Sequence, residues 1–193
     1  MCNPVSLIMS LDMCWAPAQD GWNHSHSVIA AKHGLPDGLM GDKYARVEVP
    51  PPDGRFRDEK TNAVLTDTSA WKVKFGVNGP GDRMPGWWKD DAAAQNDRAR
   101  KMAERWLKSM PDHLVPGYRA QGGDDSTLTG GDGSTLTGGD GSTLIWRVWN
   151  ESDGRYRIHI LYPGEGGTVK HAAYRFKNGK AVKVKDAPAA STK

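Results

Sequence analysis

The stretch from Gly122 to Ile145 reads "GGDDSTLTGGDGSTLTGGDGSTLI", one eight-residue unit written three times. Each octad opens with two glycines and small polar residues, which favour a turn, and closes with residues that suit an extended segment. Short strands separated by glycine corners at a fixed period are typical of a β-solenoid. We therefore expect a short solenoid here, in which each coil must pack against a neighbour.

The leucine of each octad sets the arrangement of the strands. Alternation along an extended segment places Leu128, Leu136 and Leu144 on one side and the flanking threonines on the other. If the leucines face inward, two octads are needed to close one coil. The first and third octads then stack on one wall, the second lies opposite, and three octads make about one and a half coils.

This register stacks the threonines of the first octad on the corresponding residues of the third octad. Thr127 lies beside Thr143, and Thr129 lies beside Ile145, so the second pair already ends in an apolar residue. The outward threonines are our candidate binding residues. They are Thr127, Thr129, Thr135, Thr137 and Thr143.

The residues after the octads predict a β-sheet cap. "STLIWRVWN" extends the last octad into a longer strand, "RYRIHILY" returns after a turn, and "TVKHAAYRF" and "AVKVK" flank an Asn-Gly hairpin signal. We expect these strands to form one antiparallel meander that seals the open end of the coil. The faces of Trp146 and Trp149 are further candidate contacts, and "DAPAASTK" is predicted to be disordered.

The first part of the chain mixes strands and helices. "VSLIMSLDMCWAP" predicts two short strands that turn near Asp12, and "HSVIAAKHG" predicts a short helix with Gly34 just past its end. "YARVEV" and "SAWKVKFG" are further strand candidates. The Pro/Gly-rich "GVNGPGDRMPGWW" predicts a loop.

One longer helix follows, with Asp90 as its predicted N-cap and Pro111 as its stop. Its apolar stripe at three- and four-residue spacing predicts a buried face. That stripe is Ala99, Met102, Ala103, Trp106, Leu107 and Met110, whereas Arg98, Lys101, Arg105 and Lys108 are expected to be solvated.

The fold class is therefore α+β: a small α/β head with one long helix, then a three-octad solenoid stub and its cap. We predict an α+β N-terminal domain over 1–120, the octad stub over 121–145, the cap over 146–186 and a disordered tail over 187–193.

Composition narrows the function classes. No run approaches the roughly 18 apolar residues of a membrane span, and "MCNPVSLIMSLDMCWAP" lacks the flanks of a secretory signal, so we expect cytosolic synthesis. Cys2 and Cys14 are the only cysteines, which argues for free thiols rather than a disulfide framework or a zinc site. The tail behind the octads is basic, but cations alternating with apolar strand residues more often form the solvated face of a sheet, so we expect no nucleic-acid partner.

A catalytic or metal site would have to involve the N-terminus. Cys2 with a nearby imidazole from His24 or His26 would be a workable nucleophile pair, although histidines at a helix start more often cap it or lie exposed. Asp20 with the two histidines lacks a fourth metal ligand.

"GGDG" is similar to a calcium-binding nonapeptide, but the later aspartate is replaced by threonine and the period is eight. We predict no metal and no cofactor.

The octads, with "GGDGSTLT" as consensus, resemble those of bacterial ice-nucleation proteins. The segment "STLIWRVWNESDGRYRIHILYPGEGG" is similar to the segment that closes their repeat array. The resemblance covers roughly the last third of the chain. It implies ice binding through Thr-x-Thr ladders, and self-association through the closing segment. Because the ladder here is almost absent, we expect at best weak ice binding.

The first 120 residues resemble uncharacterised bacterial and phage proteins that open with Met-Cys-x-Pro and end in low-complexity repeats. "HSHS" stands where those proteins usually have Asp-Ser-His. We therefore expect a non-enzymatic structural or binding protein that forms a homo-oligomer or joins a larger assembly, such as a phage particle. The alternatives are an N-terminal-cysteine enzyme and a weak ice-binding protein.

Overall fold

The computed structural model of the chain describes residues 4–19, 22, 25–36, 42–75, 84–150, 152–177 and 179–184. The chain divides into two compact units. The first contains Met1–Asp58 and Ala63–Met110, and the second contains Glu59–Asn62 and Pro111–Lys193. The fold is α+β, as predicted. The octads and the strands that follow them belong to the same unit. The predicted disordered tail, 187–193, lies outside the described residues.

The first unit is built on a four-stranded antiparallel sheet. Its strands are β1 (Val5–Met9), β2 (Cys14–Trp15), β3 (Ala45–Val49) and β4 (Lys74–Phe75), in the order β2-β1-β3-β4. All five residues of β1 are buried. The helix α1 (His26–Lys32) packs Ile29 and Ala30 against Ile8. The turn near Asp12 and the end of α1 before Gly34 agree with the sequence predictions, whereas the strand expected in "SAWKVKFG" is reduced to two residues.

The long helix α3 (Ala92–Ser109) begins one residue later than predicted. Asp91, and not Asp90, is its N-cap, because the Asp91 carboxylate accepts a hydrogen bond from the Ala94 amide. A separate short helix, α2 (Gly86–Asp90), precedes it where the sequence predicted a loop. Asp91 has φ −145° and ψ 59°, so the backbone leaves the helical conformation between the two helices.

The apolar stripe of α3 lies inward as expected, with the exception of Met102, which is half-buried. Trp106 is buried, and its indole N–H donates to the Pro17 carbonyl at 3.0 Å. The prediction of a solvated Arg98 was wrong. Its guanidinium donates to the carbonyls of Leu11 (2.6 Å) and Ser10 (3.3 Å), so it fixes the turn between β1 and β2. None of the described helices is both long and apolar enough to cross a membrane.

The second unit contains two sheets. Sheet I has β5 (Arg119–Gln121), β7 (Thr135–Thr137), β10 (Ala173–Lys177) and β11 (Lys180–Lys183), in the order β11-β10-β7-β5. Sheet II has β6 (Thr127–Gly130), β8 (Thr143–Asn150) and β9 (Arg155–Leu161), in the order β6-β8-β9. Successive octads therefore lie in alternate sheets.

The octad strands stack in parallel with the expected register. In sheet II, Thr127 lies opposite Thr143 and Thr129 lies opposite Ile145. In sheet I the second octad has no octad neighbour and pairs instead with β5, where Ala120 lies opposite Leu136. The strand just before the repeat was not predicted from the sequence, and it occupies the position of a preceding coil.

The prediction of a single meander after the octads was wrong. β9 returns antiparallel to β8, but β10 pairs with β7 in the other sheet, with Tyr174 opposite Leu136, and β11 pairs with β10. The connection 162–172 is long enough to cross between packed sheets, which lie about 10 Å apart. The crossing places Tyr174 and Phe176 in the core, so each sheet receives its own antiparallel extension.

The core of the second unit depends on the octad leucines. Leu136 and Leu144 are fully buried, and Leu128 is partly buried against them, so the inward direction of all three leucines is as predicted. Trp146 is also fully buried, and its indole N–H donates to the Ser134 carbonyl at 3.2 Å. The prediction of Trp146 as a surface contact was therefore wrong, because two residues after an inward leucine the side chain again points inward.

Each octad corner is closed by a contact between its first glycine and its serine. A Cβ built on Gly130 would lie 2.1 Å from the Ser134 hydroxyl oxygen, and a Cβ on Gly122 would lie 2.2 Å from that of Ser126. The Ser134 hydroxyl donates to the Gly131 carbonyl at 2.7 Å, which fixes its position. Only glycine fits at the first position of the corner.

We predict that Gly130→Ala lowers the free energy of unfolding by about 1–3 kcal/mol, because the new methyl group collides with the buried Ser134. Gly123→Ala is the matched control, since a Cβ on Gly123 meets no atom within 4 Å and should change stability by less than about 0.5 kcal/mol. Urea denaturation measures both. Equal losses in the two variants would contradict the corner contact.

Candidate binding surface

The candidate catalytic residues are only partly described. Cys2, His24 and Asp20 lie outside the described residues. His26 is the first residue of α1, and its ring Nε2 lies 3.3 Å from the Val47 carbonyl. The structure therefore places one of the two candidate imidazoles against the sheet backbone.

Cys14 is the cysteine that the structure describes, and it is a free thiol. It lies half-buried on β2. Burial raises the pKa of its thiol to about 12, although Arg98 and Arg105 oppose that shift. Because only the thiolate is an effective nucleophile, the raised pKa argues against Cys14 as a nucleophile at neutral pH.

We predict that Cys14 resists alkylation by iodoacetamide at pH 7.5 in the folded protein and reacts fully in urea, where the thiol loses its buried environment. Peptide mass spectrometry after each treatment measures the modified fraction. Equal alkylation in both conditions would show that the thiol is not protected by the fold.

The carboxylates at the stacked octad corners have partners within the chain. The Asp140 amide donates to the Asp124 carboxylate at 2.7 Å, and the Lys170 ammonium lies 2.7 Å from the Asp140 carboxylate. His171 lies 3.8 Å from Asp124. Among the described residues no group of three or more His, Cys, Asp or Glu side chains could hold a metal ion.

The Lys170 ammonium, through its hydrogen bond and its charge, holds the pKa of Asp140 below the ordinary value of 3.8. A lowered carboxyl pKa stabilises the fold above the ordinary pKa, and the contribution is lost as the pH falls through the lowered value. We predict that Lys170→Met raises the pKa of Asp140 toward 3.8, measured by NMR titration of the carboxyl carbon. Lys101→Met removes a different surface ion pair and should leave that pKa unchanged.

The five candidate threonines do not form one surface. Thr127, Thr129 and Thr143 belong to sheet II, and Thr135 and Thr137 belong to sheet I. Thr135 is only 8% exposed, and its hydroxyl accepts two hydrogen bonds of 3.2 Å from the Arg175 guanidinium. In the described octads, the threonine ladder on sheet II is two strands deep.

The outer face of sheet II carries an apolar surface, which we call the isoleucine patch and define as the half-buried Ile145 and the exposed Ile158 and Ile160. Ile145 lies opposite Ile160 across β8 and β9. Ile158 is 66% exposed and Ile160 is 53% exposed. The sequence predicted this strand, but neither Ile158 nor Ile160 was among the candidate binding residues. Exposed apolar side chains next to one another on a sheet face indicate a surface that another molecule covers.

Trp149, the last candidate contact, lies next to the patch on β8. Its ring meets Tyr156 edge to face at 5.1 Å, and the Arg147 guanidinium lies over the Tyr156 ring at 4.4 Å. Trp149 is half-buried by these contacts. It therefore supports the patch more than it offers a free surface.

A cleft of about 580 Å³ opens between β9 and β11, where the two sheets end. Its lining includes the aromatic rings of Trp146, His159 and Phe176, and the His159 ring lies 4.0 Å from that of Phe176. Glu165 and Lys180 also line it. β9 is the last strand of sheet II, and no other described strand pairs with its outer edge. The edge of β9 that no described strand covers thus borders an aromatic cleft.

Comparison with known proteins adds no further constraint on function. No protein-family model matches the chain, and neither a curated protein nor a solved structure is detectably similar to it.

Proposed function

We propose that this chain is a non-enzymatic structural protein that associates with copies of itself through the outer face and edge of sheet II. The observation that carries the proposal is the exposure of Ile158 and Ile160 on an edge strand. Exposed apolar side chains and unpaired strand backbone both lower their free energy when another protein covers them. The isoleucine patch combines both features at one place.

In this proposal the octads act as a spacer and as a flat surface for docking. We infer that they form about one and a half coils of a β-solenoid, which is supported by the parallel pairing of β6 with β8 and of β5 with β7. Such stacking presents a regular sheet face beside the patch. Three octads form only a short sheet face, which is better suited to contact with another protein than to ordering water molecules for ice binding.

The sequence resemblances described above support a bacterial or phage protein assembly as the setting. No described surface other than the isoleucine patch combines exposed isoleucines with an open strand edge.

We predict that Ile158→Glu converts the associated protein to a monomer at tens of micromolar, a concentration suited to weak interfaces, because a charge on the patch cannot be buried. Val182→Glu is the matched control. Val182 is also an exposed apolar residue, at 41%, on the edge strand β11 of sheet I. Light scattering coupled to size exclusion measures the mass of each variant.

A wild-type protein that is monodisperse and monomeric over this range would contradict self-association. Equal dissociation by both variants would place the interface elsewhere than on the isoleucine patch. Circular dichroism checks that each variant retains its sheet content.

A further inference from the structure

We propose that the partner at this surface is a second copy whose β9 adds antiparallel to β9, with Ile158 opposite the partner's Ile158. This inference rests on the proposed self-association and specifies its geometry. The outer edge of β9 has no described strand beside it, and an added strand would pair with the backbone along that edge. A strand that pairs with itself generates a closed two-fold dimer.

The length of β9 selects the register. The strand runs from Arg155 to Leu161, so its midpoint is Ile158. Antiparallel pairing centred on that residue places every residue of the strand opposite a residue of its partner, whereas a shift leaves strand ends unpaired. Of the available registers, the centred one satisfies the most backbone donors and acceptors.

The centred register also joins the two isoleucine patches. Tyr156 lies opposite the partner's Ile160, and Ile158 lies at the two-fold axis. Aromatic and β-branched side chains opposite each other stabilise antiparallel pairs. Tyr156, Ile158 and Ile160 of each copy then pack against the same side chains of the partner across the two-fold axis, so the isoleucine patch loses solvent exposure to its cross-strand neighbours.

The inward side of the added strand fits the cleft. The partner's Arg157 comes opposite His159, above the stacked rings of His159 and Phe176, where a guanidinium binds favourably to an aromatic face. Within one chain Arg157 already forms an ion pair with Asp153, so its charge is compensated on entering the cleft.

Charge complementarity favours a second copy as the occupant. In the centred register the partner's Arg155 lies opposite Leu161, at the end of the strand that leads into the turn with Glu165. Glu165 is the acidic residue that lines the cleft, and Arg155 is exposed. The two-fold axis forms this Arg155–Glu165 contact twice. The other hairpin edge, β11, exposes Lys180 and Lys183, which discourage strand pairing.

Cysteine cross-linking tests the register. In Ile158→Cys the two new thiols lie directly opposite, with Cβ atoms about 4.5–5.5 Å apart, within reach of a disulfide after small adjustments. In Ile160→Cys, the matched control, they lie four residues apart along the strands, about 13 Å. We expect a covalent dimer on a non-reducing gel for Ile158→Cys, and none for Ile160→Cys or the wild-type chain, whose native cysteines provide the background.

Charge reversal tests the ion pair. Arg155→Glu and Glu165→Arg should each raise the dimer dissociation constant on the order of tenfold. The double variant Arg155→Glu/Glu165→Arg should restore it to within about threefold, because opposite charges again face each other. Analytical ultracentrifugation over a concentration series measures each constant.

The outcomes separate this inference from the proposed function. A wild-type monomer at all concentrations would overturn both. A wild-type dimer in which Ile158→Cys cross-links no better than Ile160→Cys, or in which the double variant fails to recover affinity, would overturn the strand pairing and leave self-association standing.

Discussion

The second unit depends on a corner in which a glycine has no room for a side chain. A Cβ on the first glycine of each octad would collide with the serine four residues later. The hydroxyls of Ser126 and Ser134 donate to the backbone of their own corners, and that of Ser142 donates to the first corner, at Gly123. The contact lets the chain turn from one sheet to the other within a few residues. Strands two octads apart then stack in register, and Leu136 and Leu144 meet in the core between the sheets. A wider corner would separate these leucines and open the core.

The sequence predicted the features that follow from local period. The octad length and its single leucine were sufficient for the register Thr127–Thr143 and for the inward leucines, since both depend only on alternation and on two octads per coil. The same alternation placed Trp146 inward, two residues after Leu144, and the surface assignment of its aromatic ring overlooked that signal.

Other features could not be read from local pattern. The pairing of β7 with β5 depends on a segment outside the repeat, and the crossing of β10 to the other sheet depends on where aromatic side chains can be buried. The break at Asp91 and the bonds of Arg98 to the turn between β1 and β2 are likewise tertiary. The helical spacing of residues does not show that Arg98, among the cations of the helix, donates to carbonyls in a turn distant in sequence.

The candidate surface shows a similar division. Alternation in β9 separates Tyr156, Ile158 and Ile160 from His159 and Leu161, but it does not say which set faces the core. Hydropathy alone would place the isoleucines inside. They lie outside because β9 pairs with β8, where Ile145 also points outward, and because His159 stacks on Phe176 on the inner side. Apolar side chains at positions that face solvent identify the isoleucine patch as a candidate surface.

The alternation of octads between two sheets also limits how such a chain can change in length. Adding or removing one octad would deliver the strand that carries Trp146 to the opposite sheet, away from its partners. Adding or removing sixteen residues would return it to the same sheet in the same register, since Leu128 and Leu144 already pair at that separation. Octads can therefore be added or removed only in pairs. The closing strands require an odd number of octads, and the exact number matters less.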